Sequence, residues 1–303
     1  MLMTKLGLAL PTAGSGASPQ TIADVAESAE RIGLSSVWTF ERLMRPVHGA
    51  APIGGGEDVP LPEAYGCVYD PIETLAYVAA RTMTITLGTS VLDALLHSPI
   101  VLARRLATLD RLSGGRLAAG VGQGWMAAEF EAAGVPATLR GPRLEEHVAA
   151  MRAVWGADPV AHDGRFYRIA PSRIAPKPVG PKGVALLAGA MAPAAIERAA
   201  RMGVGLNPIM MTWELLDGAV STFRAAAEKA GHDPESLPVV VRVNGSVTTS
   251  PATGERQPLT GGVEQVRDDL GRIGTAGVEH VFWAMDTEPE EQLAVMTELL
   301  RSA

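Results

Sequence analysis

Cysteine is almost missing from this sequence. Cys67 is the single one in 303 residues, which excludes a disulfide framework and any metal site built on several thiolates, and points to a reducing, cytoplasmic setting. Lysine is scarce as well: four of the 26 basic residues, set against 33 acidic ones for a formal net charge of −7. That balance argues against nucleic acid or an anionic membrane as the main partner. No apolar run approaches the roughly 20 residues of a membrane span. The stretch Met1-Leu2-Met3-Thr4-Lys5 lacks the charged, apolar and small-residue order of a signal peptide and is expected to be no leader. The six histidines show no metal-ligand spacing, so no metal site is expected. No nucleophile elbow, HExxH string or P-loop occurs either.

What is present is apolar and periodic. Hydrophobic residues make up 47% of the chain, enough for a sizeable core. Eight short, near-continuously apolar runs read as parallel strands buried on both faces: Lys5–Leu10, Ser36–Phe40, Ile85–Leu92, Arg116–Gly122, Val184–Ala188, Val204–Ile209, Val239–Val247 and Val278–Met285. Amphipathic helical patterns lie between them. Ser18-Pro19 starts one, with Ile22, Val25, Ala26, Ala29 and Ile32 on one face and Gly33 at its end. Asp70-Pro71-Ile72-Glu73 and Thr287-Glu288-Pro289-Glu290 each place an oxygen-bearing cap three residues before a glutamate. The alternation predicts one domain over residues 1–303, a closed (β/α)8 TIM barrel; a doubly wound open sheet is the alternative. Two segments interrupt the alternation. Met44–Tyr69, rich in Gly and Pro, follows the second strand, and Gly134–Gly183 follows the fourth. Such insertions shape the C-terminal mouth of a barrel, where these folds react their substrates.

Several strings occur in a fixed order: Asp70–Glu73, Leu87-Gly88-Thr89-Ser90-Val91-Leu92, Leu109-Asp110-Arg111-Leu112-Ser113-Gly114-Gly115-Arg116, Gly120-Val121-Gly122-Gln123-Gly124-Trp125 with Glu129-Phe130, then Arg143, Glu146, Trp155, Asp163–Tyr167 and Pro176-Lys177-Pro178. Together they resemble the luciferase-like monooxygenase superfamily, and within it the coenzyme F420-dependent oxidoreductases. The resemblance implies a (β/α)8 barrel, a flavin-type cofactor at the C-terminal ends of the strands, and a homodimer. It also implies a non-proline cis peptide bulging the third strand against the central ring of the cofactor, and Ser90-Val91 matches that position.

The same resemblance assigns roles. Gly122, Gln123, Gly124 and Trp125 fall beside the ring and side chain of the cofactor, where glycines let a flat group approach the backbone. A Rossmann-type reading of Gly122, Gly124 and Ala127, or a plain strand–helix turn, is the competing account. Gly189, Ala190 and Met191, before the helix opened by Pro193, correspond to a phosphate-binding loop, where free N–H groups at a helix start favour an anion. Asn207 is a possible helper there, or a turn residue before Pro208. Glu41-Arg42 stands where relatives often have Asp-His. Glu41 suits a ring edge; Arg42, always charged, cannot shuttle a proton but suits an anionic ring or an acidic substrate. Otherwise the two form a surface ion pair. His48 and His97 are the candidate substrate contacts, and Arg42, Arg45, Lys177 and Lys182 the candidate cations for an acidic cofactor tail.

Two cofactors remain open, coenzyme F420 for hydride transfer to or from a small organic molecule, or FMN for an oxygen-using monooxygenase, which needs a separate flavin reductase. A non-catalytic flavin-binding barrel is a third reading. A phosphosugar barrel without a redox cofactor fits less well, because the Gly-rich loops follow the fourth and fifth strands rather than the seventh and eighth.

Overall fold

A computed structural model describes residues 4–301. Met1–Met3, part of the stretch read for a leader, lie outside the described residues. The eight apolar runs form one parallel sheet. In chain order its strands are β1 (Lys5–Ala9), β2 (Ser36–Thr39), β3 (Thr86–Asp93), β4 (Leu117–Gly122), β5 (Ala185–Ala188), β6 (Gly205–Leu206), β7 (Val240–Asn244) and β8 (His280–Ala284). Each strand hydrogen-bonds its sequence neighbours, and β8 pairs with both β1 and β7. The remaining seam, β6 to β7, closes through parallel bridges from Leu206 to Val239 and from Ile209 to Arg242. The sheet is therefore a ring, and the open-sheet alternative is set aside.

The observed strands are shorter than the apolar runs. β6 keeps two residues of Val204–Ile209, because Pro208 has no N–H to give the ladder. β7 stops at Asn244; Val247 and Thr248 pair instead with Gly261 and Gly262 in a separate short sheet. The helices begin where capping chemistry placed them. Ser18 accepts from the Thr21 N–H at the start of α1 (Pro19–Ile32), and Gly33 ends it at φ 93°. Asp70 caps α2 (Pro71–Ala79) through the Ile72 N–H, but Glu73 turns outward to Arg105 of α3 (Pro99–Leu112) rather than completing a capping box. The cap expected from Thr287 belongs to Glu288, with no side-chain bond.

The interior is filled rather than hollow. Trp38 stacks on Phe282 at 4.4 Å between ring centres, and the Trp38 Nε1–H donates to Ser36 Oγ, which bonds the His280 ring. A Cβ on Gly88 would lie 2.2 Å from the Trp38 ring, so the indole occupies the space this glycine leaves. With the barrel plugged below, its C-terminal mouth is the place left for a ligand.

Much of the ordered string pattern proves structural. After α4 (Ala127–Ala132) and α5 (Arg140–Trp155) the chain forms an antiparallel hairpin, Val160–Asp163 with Arg168–Ser172. Glu146 holds its turn by accepting the N–H groups of Arg165, Phe166 and Tyr167. Arg116 ties four backbone carbonyls and one hydroxyl of neighbouring segments. Among the described residues no helix is long and apolar enough to cross a membrane.

Candidate active site

The C-terminal ends of six consecutive strands surround a cavity of about 470 Å³, a size typical of small-molecule sites. β2 delivers Phe40, Glu41 and Arg42; β3 delivers Ser90, Val91 and Asp93; β4 opens into Gly122, Gln123, Gly124 and Trp125. β5 runs into Gly189, Ala190 and Met191, β6 into Asn207 and Ile209, and β7 supplies Arg242 and Asn244. Tyr65, from the long segment after β2, and Arg140, at the start of α5, complete the wall. A larger cavity of about 1430 Å³ lies over β1, β2 and β8 and shares Phe40, Tyr65, Ser90, Arg242 and Asn244 with the first. The mouth thus offers two adjoining compartments.

β3 contributes Ser90 to the wall they share. The Ser90–Val91 peptide is cis, and the β3–β4 register shifts between Thr89 and Leu92. The bulge is held by side chains from the opposite side of the ring. Ser90 Oγ donates to Asn207 Oδ1 at 2.7 Å, and Asn207 Nδ2 donates to the Val240 carbonyl at 2.7 Å. One guanidinium nitrogen of Arg242 donates to the Ser90 carbonyl at 2.6 Å. Asn207 is therefore committed to the bulge and has little left for a phosphate. The glycines also act differently from expectation. A Cβ on Gly122 or Gly189 would meet the Val91 side chain at 2.7 or 2.9 Å, and one on Gly124 would meet Phe130 at 2.5 Å. They make room for the bulge and for α4, and all three line the cavity.

The charged groups of the wall are arranged in pairs, with three exceptions. Glu41, 4% exposed, accepts the Asp93 N–H at 2.7 Å and bonds His97 Nε2 at 2.7 Å. Burial pulls the His97 pKa down, but the hydrogen bond and negative charge of Glu41 outweigh it and leave the pKa above its ordinary value. His97 therefore serves Glu41 rather than the cavity. Arg42 donates to the buried Glu129 of α4 at 2.6 Å, while its guanidinium lies 5.5 Å from the Trp125 ring. This corrects the expectation of a free cation: Arg42 lines the cavity, but its charge is paired with Glu129 inside the protein. Glu41 and Arg42 do not pair with each other. His48, expected as a substrate contact, is exposed in a turn of the long segment and lines neither cavity. Arg45 bonds the Leu61 and Pro62 carbonyls, Lys177 bonds Asp158, and neither they nor Lys182 line the first cavity.

The three exceptions were not singled out from the sequence. Arg140 lines the first cavity, donates to the Gly124 carbonyl at 2.5 Å, and is paired with no carboxylate among the described residues. Arg242 lines both cavities and is paired with no carboxylate among the described residues; besides Ser90 it holds Asn244 Oδ1 at 2.8 Å. A charge inside the apolar run Val239–Val247 was the available signal. Asp93 is 6% exposed, lines the first cavity, and makes no side-chain hydrogen bond or ion pair to a described residue. Burial raises its pKa to about 7, against the pull of Arg42.

At the far end of the cavity, α6 (Pro193–Arg201) begins with proline at its first position. The Gly189 N–H is used by the Val121 carbonyl at 2.9 Å, but those of Ala190, Met191 and Ala192 have no acceptor among the described residues. Three unpaired donors at a helix start suit an anionic oxygen group. The unpaired donors thus lie one residue along from the Gly189–Met191 expected.

Comparison with known proteins gives a consistent outcome. The family model described as luciferase-like monooxygenase matches residues 1–259. An uncharacterised protein of Mycobacterium tuberculosis is 32% identical over 295 residues, 97% of this chain and 96% of its own. The F420-dependent glucose-6-phosphate dehydrogenase of Nakamurella multipartita is 31% identical over 245 residues, 76% of this chain and 65% of that one. Among solved structures, the monooxygenase RslO1 from Streptomyces bottropensis superposes with a TM-score of 0.80 at 24% identity, covering 98% of this chain and 99% of that one, a likeness of fold.

Proposed function

Because the chain belongs to the luciferase-like monooxygenase family, we propose that it is a coenzyme F420-dependent oxidoreductase acting on a small organic substrate. The observation that carries this reading is the pairing of two features at one mouth: a backbone bulge at Ser90–Val91 facing a cavity, and three unpaired N–H groups beside it. The residues fit a ring with a phosphate-bearing tail. Val91, with Gly122 and Gly189 packed behind it, offers a smooth wall for a flat ring. The N–H groups of Ala190, Met191 and Ala192 suit the phosphate. Gln123, Trp125 and Phe40 cover the ring site from water. When bound, the deazaflavin accepts or supplies the hydride; the chain supplies position and electrostatics.

The adjoining cavity over β1, β2 and β8 is the place for the substrate, and Arg242 on the shared wall is its unneutralised cation. Arg42 shuttles no proton in this scheme. The relative that depends on F420 supports the choice of cofactor, and the reading includes a homodimer, as in the family. The test is a fluorescence and absorbance titration of the purified chain with coenzyme F420 and with FMN. Tighter binding of F420 is expected. Tight FMN binding without affinity for F420 overturns the reading in favour of an oxygen-using monooxygenase, and binding of neither favours a degenerate, non-catalytic barrel.

A further inference from the structure

Asp93 is the carboxyl of this mouth that the fold does not use. It ends β3, three residues after Ser90, and its own N–H is fixed by Glu41. Its side chain lies beneath the Gly122–Gly124 turn: a Cβ on Gly122 or Gly124 would sit 3.5 or 3.7 Å from the carboxyl group. The other carboxylates of the cluster have protein partners, Glu41 in His97 and Glu129 in Arg42. Asp93 has none among the described residues and faces the cavity. Its oxygens open on the cavity, and a molecule that displaces water there must supply the partner they would otherwise lose.

We propose that the Asp93 carboxyl is a ring-recognition residue, donating a hydrogen bond to an acceptor atom, a carbonyl oxygen or ring nitrogen, on the edge of a flat heteroaromatic ring bound against Ser90–Val91. The inference rests on the flavin-type site argued above and adds to it which residue reads the ring edge and in which protonation state. The donor is the neutral acid. Burial holds Asp93 protonated up to about pH 7. The groups facing it are Glu41 and Arg42 at the end of β2, His97 after β3, and Glu129 on α4, with Arg140 across the cavity on the Gly124 carbonyl at 2.5 Å. Above pH 7 the ionised group loses the donor and repels an electron-rich edge, so affinity falls as pH rises.

The test measures dissociation constants of the whole chain for coenzyme F420 and for FMN across pH. For wild type, affinity for the ring that binds falls about tenfold between about pH 6 and about pH 8.5, the size of one hydrogen bond to a buried group. Asp93→Asn, which keeps a donor of the same shape, binds at the wild-type acidic value with a flat profile. Asp93→Leu binds about tenfold more weakly at pH 6, also with a flat profile. If Asp93→Asn keeps the wild-type slope, the dependence belongs to another group, such as His97, and the proposal fails. It fails too if folded Asp93→Leu binds as wild type does. If wild type binds neither ring, the flavin-type reading itself fails and takes this inference with it. Ring binding by wild type together with an indifferent Asp93 refutes the inference alone.

Discussion

At the scale of single residues, the mouth is decided by which charges find partners. Arg42 looked like the cation of the site, and its neighbour Glu41 like its counterpart. Instead each bonds a different element, Arg42 to Glu129 and Glu41 to His97 and the Asp93 N–H. The groups left over are Arg140, Arg242 and Asp93, two cations and one carboxyl. The state of Asp93 also has a consequence for stability. Its folded pKa, about 7, lies above the 3.8 of an unperturbed aspartate, so the folded protein holds the proton longer than the unfolded chain does. Stability from this group is therefore unchanged below about pH 4, declines as pH rises toward 7, and is constant beyond. At about 1.4 kcal/mol per pH unit the loss has an upper bound of roughly 4 kcal/mol. Asp93→Asn removes it. In urea denaturation of the ligand-free protein, the variant should match wild type near pH 4 and exceed it by one to a few kcal/mol, roughly, near pH 8. An equal difference at both pH values would refute a neutral, buried Asp93.

At the scale of elements, the strands position the site and the barrel interior sets how they can sit. Trp38 of β2 lies against Gly88 of β3 two residues before the bulge begins, so the indole packs on the strand that carries the bulge. Gly88→Ala should destabilise the protein by about 1–3 kcal/mol, as overpacking does, because the new Cβ would meet the Trp38 ring. Gly218→Ala is the contrast. It lies in α7 (Trp213–Lys229), exposed, with nothing within 4 Å of an added Cβ, and should stabilise by about 0.5–1 kcal/mol. Chemical denaturation of both variants checks the pair; a Gly88→Ala no worse than Gly218→Ala would show that the interior yields to the indole. The same packing constrains tests of the ligand loop. Substituting Gly189 drives a side chain into Val91, so a loss of binding there reports the bulge as much as the phosphate cradle.

At the scale of the whole molecule, the net charge of −7 opposes an anionic ligand, whereas Arg140 and Arg242 at the mouth attract one. Screening acts within about 10 Å at 0.1 M salt, so the nearer charges should decide. Affinity for coenzyme F420 is expected to fall as salt rises, and an affinity that rises would show the overall charge to dominate. Bound at a hundredfold excess over its dissociation constant, the cofactor should add about 2.7 kcal/mol of stability, read as a rise of several degrees in Tm.

The family resemblance pointed to the bulge at Ser90-Val91; the sequence by itself determined the ring of strands, the helix starts at Ser18 and Asp70, and the two insertions. These rest on local chemistry: apolar runs, caps, prolines and glycines act through neighbours in the chain. It also placed most of the cavity wall, because each barrel strand sends the residue just past its end to the same mouth. What only the tertiary structure decided is which of those residues are free. Whether Arg42 grips a ligand depends on Glu129, 87 residues away. Whether Asn207 meets a phosphate depends on Ser90, 117 residues away. His48, near in sequence to the strand end, is turned out to solvent, while Arg242, inside an apolar run, faces the cavity. A side chain's role at a buried site is set by the partners that desolvation makes it find, and those partners come from strands on opposite sides of the ring.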